Sequence, residues 1–366
     1  DSGLSLSPMG LSGFGYNGHV FWDTETWVYP ALLLLRPGMA RSLLDYRYER
    51  LGAARRNAYQ HGYRGAMFPW ESAATGGEET PAHNLYSHFE VHVNADIALA
   101  AWQYWLVTRD REWLRAKGWP LISSTADFWV SRVEPRRDGG EDYELVNVIG
   151  ADEWGVNPGG GKNVDNNAYT TAAAMTNLDI ADKAACELGL AADPRWRQVR
   201  RGLRLQRDDD GTVRLHDTYA GEKTKQADVA LIAYPLGMMD NKDDIRRNLE
   251  RYIEKKKKKS TPAMSKSVYS ILYSMIGEPD KALHYFRDSY LPNLNPPFRV
   301  IAEFDGGTNP YFITGAGGTL QSVLMGFGGL RIGEKGIEAR GAAVPECWSG
   351  LTFKGIGLEK KTYILK

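Results

Sequence analysis

Four segments of the chain set acids beside aromatic rings: "GHVFWDTETW" (18–27) with Trp22 and Asp23, "GAMFPWESAATGGEE" (65–79) with Trp70 and Glu71, "IGADEWG" (149–155) with Asp152, Glu153 and Trp154, and "RVIAEFDGG" (299–307) with Glu303 and Asp305. Carboxyl groups move protons in general acid–base chemistry, and indole faces offer flat apolar surface to sugar rings. Taken singly, each acid has an ordinary structural reading. Asp23 and Glu25 suit a helix start, Glu71 a turn after Pro69, Asp152 a loop cap and Glu303 a surface position. A hydrophobic core does not accept six or more carboxylates, so their recurrence at helix edges is better explained by a polar pocket with aromatic walls.

Other chemistries fit less well. "GVNPGGGKN" resembles a phosphate cradle, but Val156 stands where a P-loop needs glycine six residues before Lys162, and Asn163 where it needs Ser or Thr. No H-E-x-x-H helix and no G-x-S-x-G elbow occurs. His88 and His92 have i, i+4 spacing on one predicted helical face but no accompanying acid motif, so they read as polar histidines near a cleft rather than zinc ligands. Cys186 and Cys347 lie far apart and read as buried free thiols. Neither a metal nor a cofactor is expected.

Lys+Arg and Asp+Glu both total 45, so there is no basic field to draw nucleic acid or an anionic membrane. The run Lys255 to Lys259 reads as solvated cations at a helix C-terminus, offset by Asp208 to Asp210. The longest apolar run, Ala31 to Leu35, is far too short to span a bilayer. A soluble protein acting on a small neutral substrate is expected. Because the sequence starts at Asp1 without Met, a leader or preceding domain is expected upstream, which suits a periplasmic or secreted location and is compatible with a homo-oligomer.

The elements that must carry these loops are helical up to about residue 330, with about eleven segments of i, i+3, i+4 periodicity. The clearest are 39–57, 85–107, 112–133, 167–188, 243–254, 266–276, 281–290 and 314–327. Helices paired as antiparallel hairpins can form a ring that gathers its loops at one rim. From Leu330 the short, β-branched, glycine-punctuated stretches "LRIGEKGIEAR" and "LTFKGIGLEKKTYILK" predict strands. The expected division is a helical domain over 1–330 and a β region over 331–366.

"GHVFWDTETWVYP", "GYRGAMFPWESA", "DEWGVNPGGGKNVDNNAYTT", "KQADVALIAYPL" and "GAGGTLQSVLMGFGGLRI", in this order, resemble the block motifs of glycoside hydrolase family 65, the α-glucoside phosphorylases and hydrolases. The resemblance covers nearly the whole chain and implies an (α/α)6 toroid followed by a small β domain, with an oligosaccharide as the small neutral substrate. The family's large N-terminal β-sandwich is absent from this sequence. The resemblance implies Glu153 as general acid, and Trp22, Asp23, Trp70, Glu71, Asp152, Lys225 and Gln226 as residues around the sugar. The family's usual "DEYH" reads "DEWG" here.

A carboxyl group that protonates a glycosidic oxygen near neutral pH needs a raised pKa, which burial beside Trp154 and the charge of Asp152 would favour for Glu153. Lys225 is the counterweight that donates to sugar hydroxyls and holds nearby carboxylates ionised. The family's phosphorylases carry a "HDSSLS"-like phosphate seat, where this chain reads "TPAMSKS" (261–267). The resemblance to the family's hydrolases implies Glu303 as general base, with Asp305 as the alternative. An inverting hydrolase of an α-linked glucose disaccharide follows, kojibiose-type α-1,2 linkages or a glucosyl-galactose unit being favoured, with the two carboxyls roughly 6.5 to 9.5 Å apart. The other readings are a phosphorylase releasing β-glucose 1-phosphate and a carbohydrate-binding toroid without catalysis.

Overall fold

A computed structural model describes residues 3–84, 86–137, 142–153, 161, 163–256 and 261–365. Two kinds of helix alternate along it. Some are buried on almost every side, as a helix apolar or small all round must be; others carry one apolar stripe and charges elsewhere, as surface helices do.

A π-helical turn over Thr24–Val28 continues into α1 (Tyr29–Leu35), and the chain returns outside through α2 (Pro37–Glu49) and α3 (Leu51–Gln60). The short α4 (Tyr86–Phe89) precedes the buried α5 (Val93–Thr108). An outer run follows, made of α6 (Arg111–Trp113), a π turn (Leu114–Gly118) and α7 (Trp119–Arg132). Then come α8 (Ala168–Leu188) with α9 (Pro194–Gly202), α10 (Val229–Ala233) with α11 (Lys242–Lys255), and α12 (Ala263–Ile276) with α13 (Pro279–Asp288). Finally α14 (Ile313–Gln321) passes into a third π turn, Ser322–Phe327.

Helices α1, α5, α8, α10, α12 and α14 touch in that order, and α14 packs back on α1 and the Thr24–Val28 turn. The ring is thereby closed, and the fold is the expected (α/α)6 toroid. The strands expected after Leu330 form two antiparallel hairpins. In one, β5 (Leu330–Gly333) pairs with β6 (Gly336–Ala339); in the other, β7 (Leu351–Ile356) pairs with β8 (Lys361–Leu365). Earlier, β1 (Glu134–Pro135) and β2 (Tyr143–Glu144) pair within one loop, and β3 (Leu294–Asn295) and β4 (Val300–Ile301) within another.

Local chemistry sets these boundaries. Asn167 caps α8 by accepting from the Thr170 amide, and Gly189 at φ +68° ends it. At the closure, a Cβ on Gly317 would lie 2.4 Å from the Trp27 carbonyl oxygen, so only glycine lets α14 come that close. The Thr24–Val28 turn is tied down from outside by Arg47, fully buried, whose Nε and Nη2 donate to Glu25 at 2.7 and 2.9 Å. This bidentate pair anchors the turn directly after Trp22 and Asp23. Glu25→Ala leaves an unpaired buried guanidinium and is expected to cost about 3–5 kcal/mol, read as a lowered urea midpoint, with much of the loss recovered when Arg47 is also replaced by Met.

Several sequence expectations need correction. The single helix expected over 39–57 is broken at Arg50, whose guanidinium stacks on Tyr46 at 3.6 Å and donates to the Ala73 carbonyl. The helix expected over 85–107 is interrupted at residues 90–92, so His88 and His92 do not share a face: His88 is exposed against His61, and His92 is buried. Cys186 and Cys347 are exposed, not buried; Cys186 lies on the outward side of α8 while Ala184, Ala185 and Leu188 turn inward. Of the lysine run, residues 257–259 lie outside the described residues. Among the described residues, no helix is long and apolar enough to cross a membrane.

Candidate active site

Each inner helix is preceded by a loop, or opened by a first turn, that contributes to one cavity. Trp22 and Asp23 lie before α1, Trp70, Glu71 and Asn84 before α5, Glu153 before α8, and Lys225 and Gln226 before α10. Met264 opens α12, and Glu303 and Phe312 precede α14. The N-termini of all six inner helices therefore face the same rim. The cavity has a volume of about 260 Å³. At about 30 Å³ per water molecule this is the scale of one sugar ring.

Its floor is aromatic. The rings of Trp22 and Trp70 lie 6.5 Å apart at 31°, and His92 meets both edge-on at 4.7 and 5.5 Å. His92 is itself held by Asp96 at 2.8 Å and by Glu90 at 3.4 Å, and Asp96 also accepts from the Tyr169 hydroxyl at 2.5 Å. Burial alone would lower the His92 pKa, but Asp96 and Glu90 outweigh it and bring it to about 9. Burial pushes Glu90 up to about 8, against the pull of His92. An imidazole ring fixed between Asp96 and Glu90 thus supports the indoles from behind.

Two carboxylates flank this floor. Asp23 accepts from the Thr314 hydroxyl at 2.7 Å, and burial pushes its pKa up to about 7, against the pull of that hydrogen bond. Glu71 bonds the His19 ring at 2.8 Å and is also raised by burial. The backbone amides of Trp70 and Glu71 both donate to Glu78, at 2.8 and 3.1 Å, which fixes that pair from outside the cavity.

Glu153 is placed by a clip between two loops. Gly150 presses on Asn167, where a Cβ would lie 2.1 Å from Nδ2. That Nδ2 donates to Asp228 at 3.0 Å, and Asp228 also accepts the Asp152 amide at 3.3 Å. Asp152 in return accepts the backbone amides of Lys225 at 2.8 Å and Gln226 at 3.4 Å. So Asp152, expected among the sugar-holding residues, does not line the cavity; it binds the Lys225–Gln226 backbone, and burial pushes its pKa up to about 7 against those bonds. Lys225 Nζ then donates to Glu153 Oε2 at 2.9 Å, and Gln226 Nε2 approaches Oε1 at 3.4 Å. Trp154, residues 155–160 and Lys162 lie outside the described residues.

Glu303 is buried, with Oε2 accepting from the Tyr16 hydroxyl at 2.5 Å and Asn309 Nδ2 at 2.6 Å. Burial raises its pKa; the Tyr16 bond, the Lys225 charge and the Asn309 bond pull it back, while the Glu153 charge adds to the rise. Asp305 is exposed in the following turn and does not line the cavity. In "TPAMSKS" the polar groups are committed elsewhere. Ser265 accepts the Ala227 amide, Ser267 donates to the Ala263 carbonyl, and Lys266 reaches Asp288. Ser267 and Lys266 are thus bonded away from the cavity, and the stretch lacks the histidine and adjacent serine pair of a phosphate seat.

Sequence reasoning missed Tyr16, Asn17, His19, Glu78 and Glu90. Tyr16 and Asn17 line the cavity from "GYNG", where both adopt left-handed backbone at φ 59° and 52°. The turn composition of that tetrapeptide, immediately before "HVFWD", was the available signal.

Acids and indoles at one end of a closed double ring of helices define a toroid built around a sugar-sized polar cavity. The profile of the glycosyl hydrolase family 65 central catalytic domain matches residues 1–224, and the chain belongs to that family. It is 53% identical to a kojibiose hydrolase of Flavobacterium johnsoniae over 363 residues, covering 99% of this chain and 52% of the relative. It is 35% identical to a protein-glucosylgalactosylhydroxylysine glucosidase of Danio rerio, covering 96% and 53%. The chain thus spans about half the length of these relatives. A solved structure assigned as a kojibiose phosphorylase from the human microbiome shares the fold at a TM-score of 0.82 and 19% identity, over 100% of this chain and 57% of that one.

Proposed function

We propose that this chain carries the catalytic ring of an inverting, exo-acting α-glucosidase, with Glu153 as general acid and Glu303 as general base. The observation that carries the reading is that both carboxylates line one sugar-sized cavity with Trp22, Asp23, Trp70, Glu71, Lys225 and Gln226. Kojibiose-type α-1,2 linkages are the favoured substrate, in keeping with the Flavobacterium johnsoniae relative, and a glucosyl-galactose unit the second, in keeping with the Danio rerio one.

In this reading the indoles of Trp22 and Trp70 take the apolar face of the terminal glucose, while Asp23 and Glu71 accept from its hydroxyls. The sugar's hydroxyls draw Lys225 away from Glu153, so that Glu153 carries a proton to the departing glycosidic oxygen. A water molecule on the far face attacks the anomeric carbon as the C–O bond breaks, and passes its proton to Glu303. The products are the free leaving alcohol and β-glucose.

The test is a panel of glucose disaccharides incubated with and without inorganic phosphate, with anomer-resolved product detection. Release of β-glucose first, unaffected by phosphate, is expected. Release of α-glucose would mean retention, β-glucose 1-phosphate would mean a phosphorylase, and binding without turnover across the panel would mean a carbohydrate-binding toroid.

A further inference from the structure

Glu303 has two carboxylate oxygens, and the residues around it treat them differently. Both described side-chain donors, the Tyr16 hydroxyl and Asn309 Nδ2, fall on Oε2; none of the described groups donates to Oε1. The backbone of residue 303 is fixed separately. Its carbonyl accepts from the Ala263 amide at 2.9 Å and Asn293 Nδ2 at 2.8 Å, and its amide donates to Asn309 Oδ1 at 3.2 Å. The Tyr16 hydroxyl therefore has no part in holding that backbone in place. It acts on the carboxylate alone.

Tyr16 is also costly to place. Its backbone is left-handed at φ 59° and ψ 21°, followed by Asn17 at 52° and 19°, a region that non-glycine residues occupy only where surrounding contacts impose it. Those contacts are present: its carbonyl accepts the His19 amide at 2.8 Å, and its ring meets Phe21 edge-on at 5.4 Å. The strained turn delivers one hydroxyl, from 287 residues away in sequence, to one oxygen of one carboxylate.

We infer that Tyr16 is a positioning residue for the base: it occupies Oε2 of Glu303 and so turns Oε1 to the attacking water as the oxygen that receives the proton. This rests on the reading of Glu303 as general base. In the step, the water oxygen bonds to the anomeric carbon with one of its lone pairs, and the glycosidic bond breaks with its electrons going to the leaving oxygen. The water's proton passes to Oε1, while Glu153 supplies the proton of the leaving alcohol. A donor on Oε2 favours the ionised carboxylate, which is the form a base must have.

The experiment compares kcat and KM against pH for the parent protein, Tyr16→Phe and Glu303→Gln, using kojibiose. A hydrogen bond to a charged group corresponds to about one to two pH units. Removing it raises the pKa of the base, so in Tyr16→Phe the acidic limb of the kcat profile is expected to move upward by about that much, with kcat lowered about tenfold or more and KM changed little. An acidic limb superimposed on the parent's, or a raised KM with an unmoved limb, would overturn the inference. Glu303→Gln separates the two levels: if it turns over like the parent, the reading of the base has failed; if it is inactive while Tyr16→Phe keeps the parental limb, only the role of Tyr16 has failed. Should Tyr16→Phe not fold, 3-fluorotyrosine incorporated at position 16 keeps the hydroxyl but makes it a stronger donor to Oε2 and must move the limb downward, an unmoved limb again overturning the inference.

Discussion

Glu153→Gln is expected to hydrolyse kojibiose about 10²–10⁴-fold more slowly than the parent protein, yet to cleave α-glucosyl fluoride at close to the parental rate. The contrast follows from what the leaving group needs. A sugar alkoxide is a poor leaving group without a proton, whereas fluoride departs without one. Glutamine keeps the size of the side chain and can still bond Lys225 and Gln226, which contact the carboxylate in the resting arrangement, so the fold of the clip is preserved. Equal losses on both substrates would assign Glu153 to sugar binding. Unchanged activity on kojibiose would remove it from the mechanism.

The second large effect separates base from acid. Glu303→Gln is expected to lose about 10²–10⁴-fold on kojibiose and on α-glucosyl fluoride alike, because both need a deprotonated water whatever the leaving group. Steady-state rates for the two substrates and two variants therefore form a four-way comparison in which only the Glu153 variant discriminates between leaving groups. If Glu303→Gln kept parental turnover of the fluoride, the base would have to be sought elsewhere on the rim. The exposed Asp305 would then be re-examined by the same substitution.

The segments that line the cavity are legible in the sequence because acids and indoles stand next to one another, as in Trp22 with Asp23 and Trp70 with Glu71, or acids stand in pairs, as in Asp152 with Glu153. Adjacency shows which segment is polar and aromatic; it does not show which of two neighbouring side chains turns inward. Hence Asp152 reads as a cavity residue by its position beside Glu153, whereas its side chain binds the Lys225 and Gln226 amides. Residues that acquire meaning only through partners far along the chain, such as Tyr16 through Glu303 and His19 through Glu71, left little local trace. The helix break between α4 and α5 was hidden for a related reason. Inner helices are apolar or small on every face, so their periodicity is weak and cannot mark a kink.

The closure of the ring between Thr24–Val28 and α14 has a consequence for how activity appears during folding. Asp23 and Thr314 meet across 291 residues, and Tyr16 and Glu303 across 287. Such contacts carry a large loop-closure entropy and form late in a chain whose other helix pairs are local. The sugar contact proposed for Asp23 and the water activation proposed for Glu303 both depend on that last seam. A chain arrested with five inner helices docked would keep most of its helicity and show no turnover, so recovery of hydrolysis during refolding should lag the recovery of helical signal and report the moment at which the two ends of the ring meet.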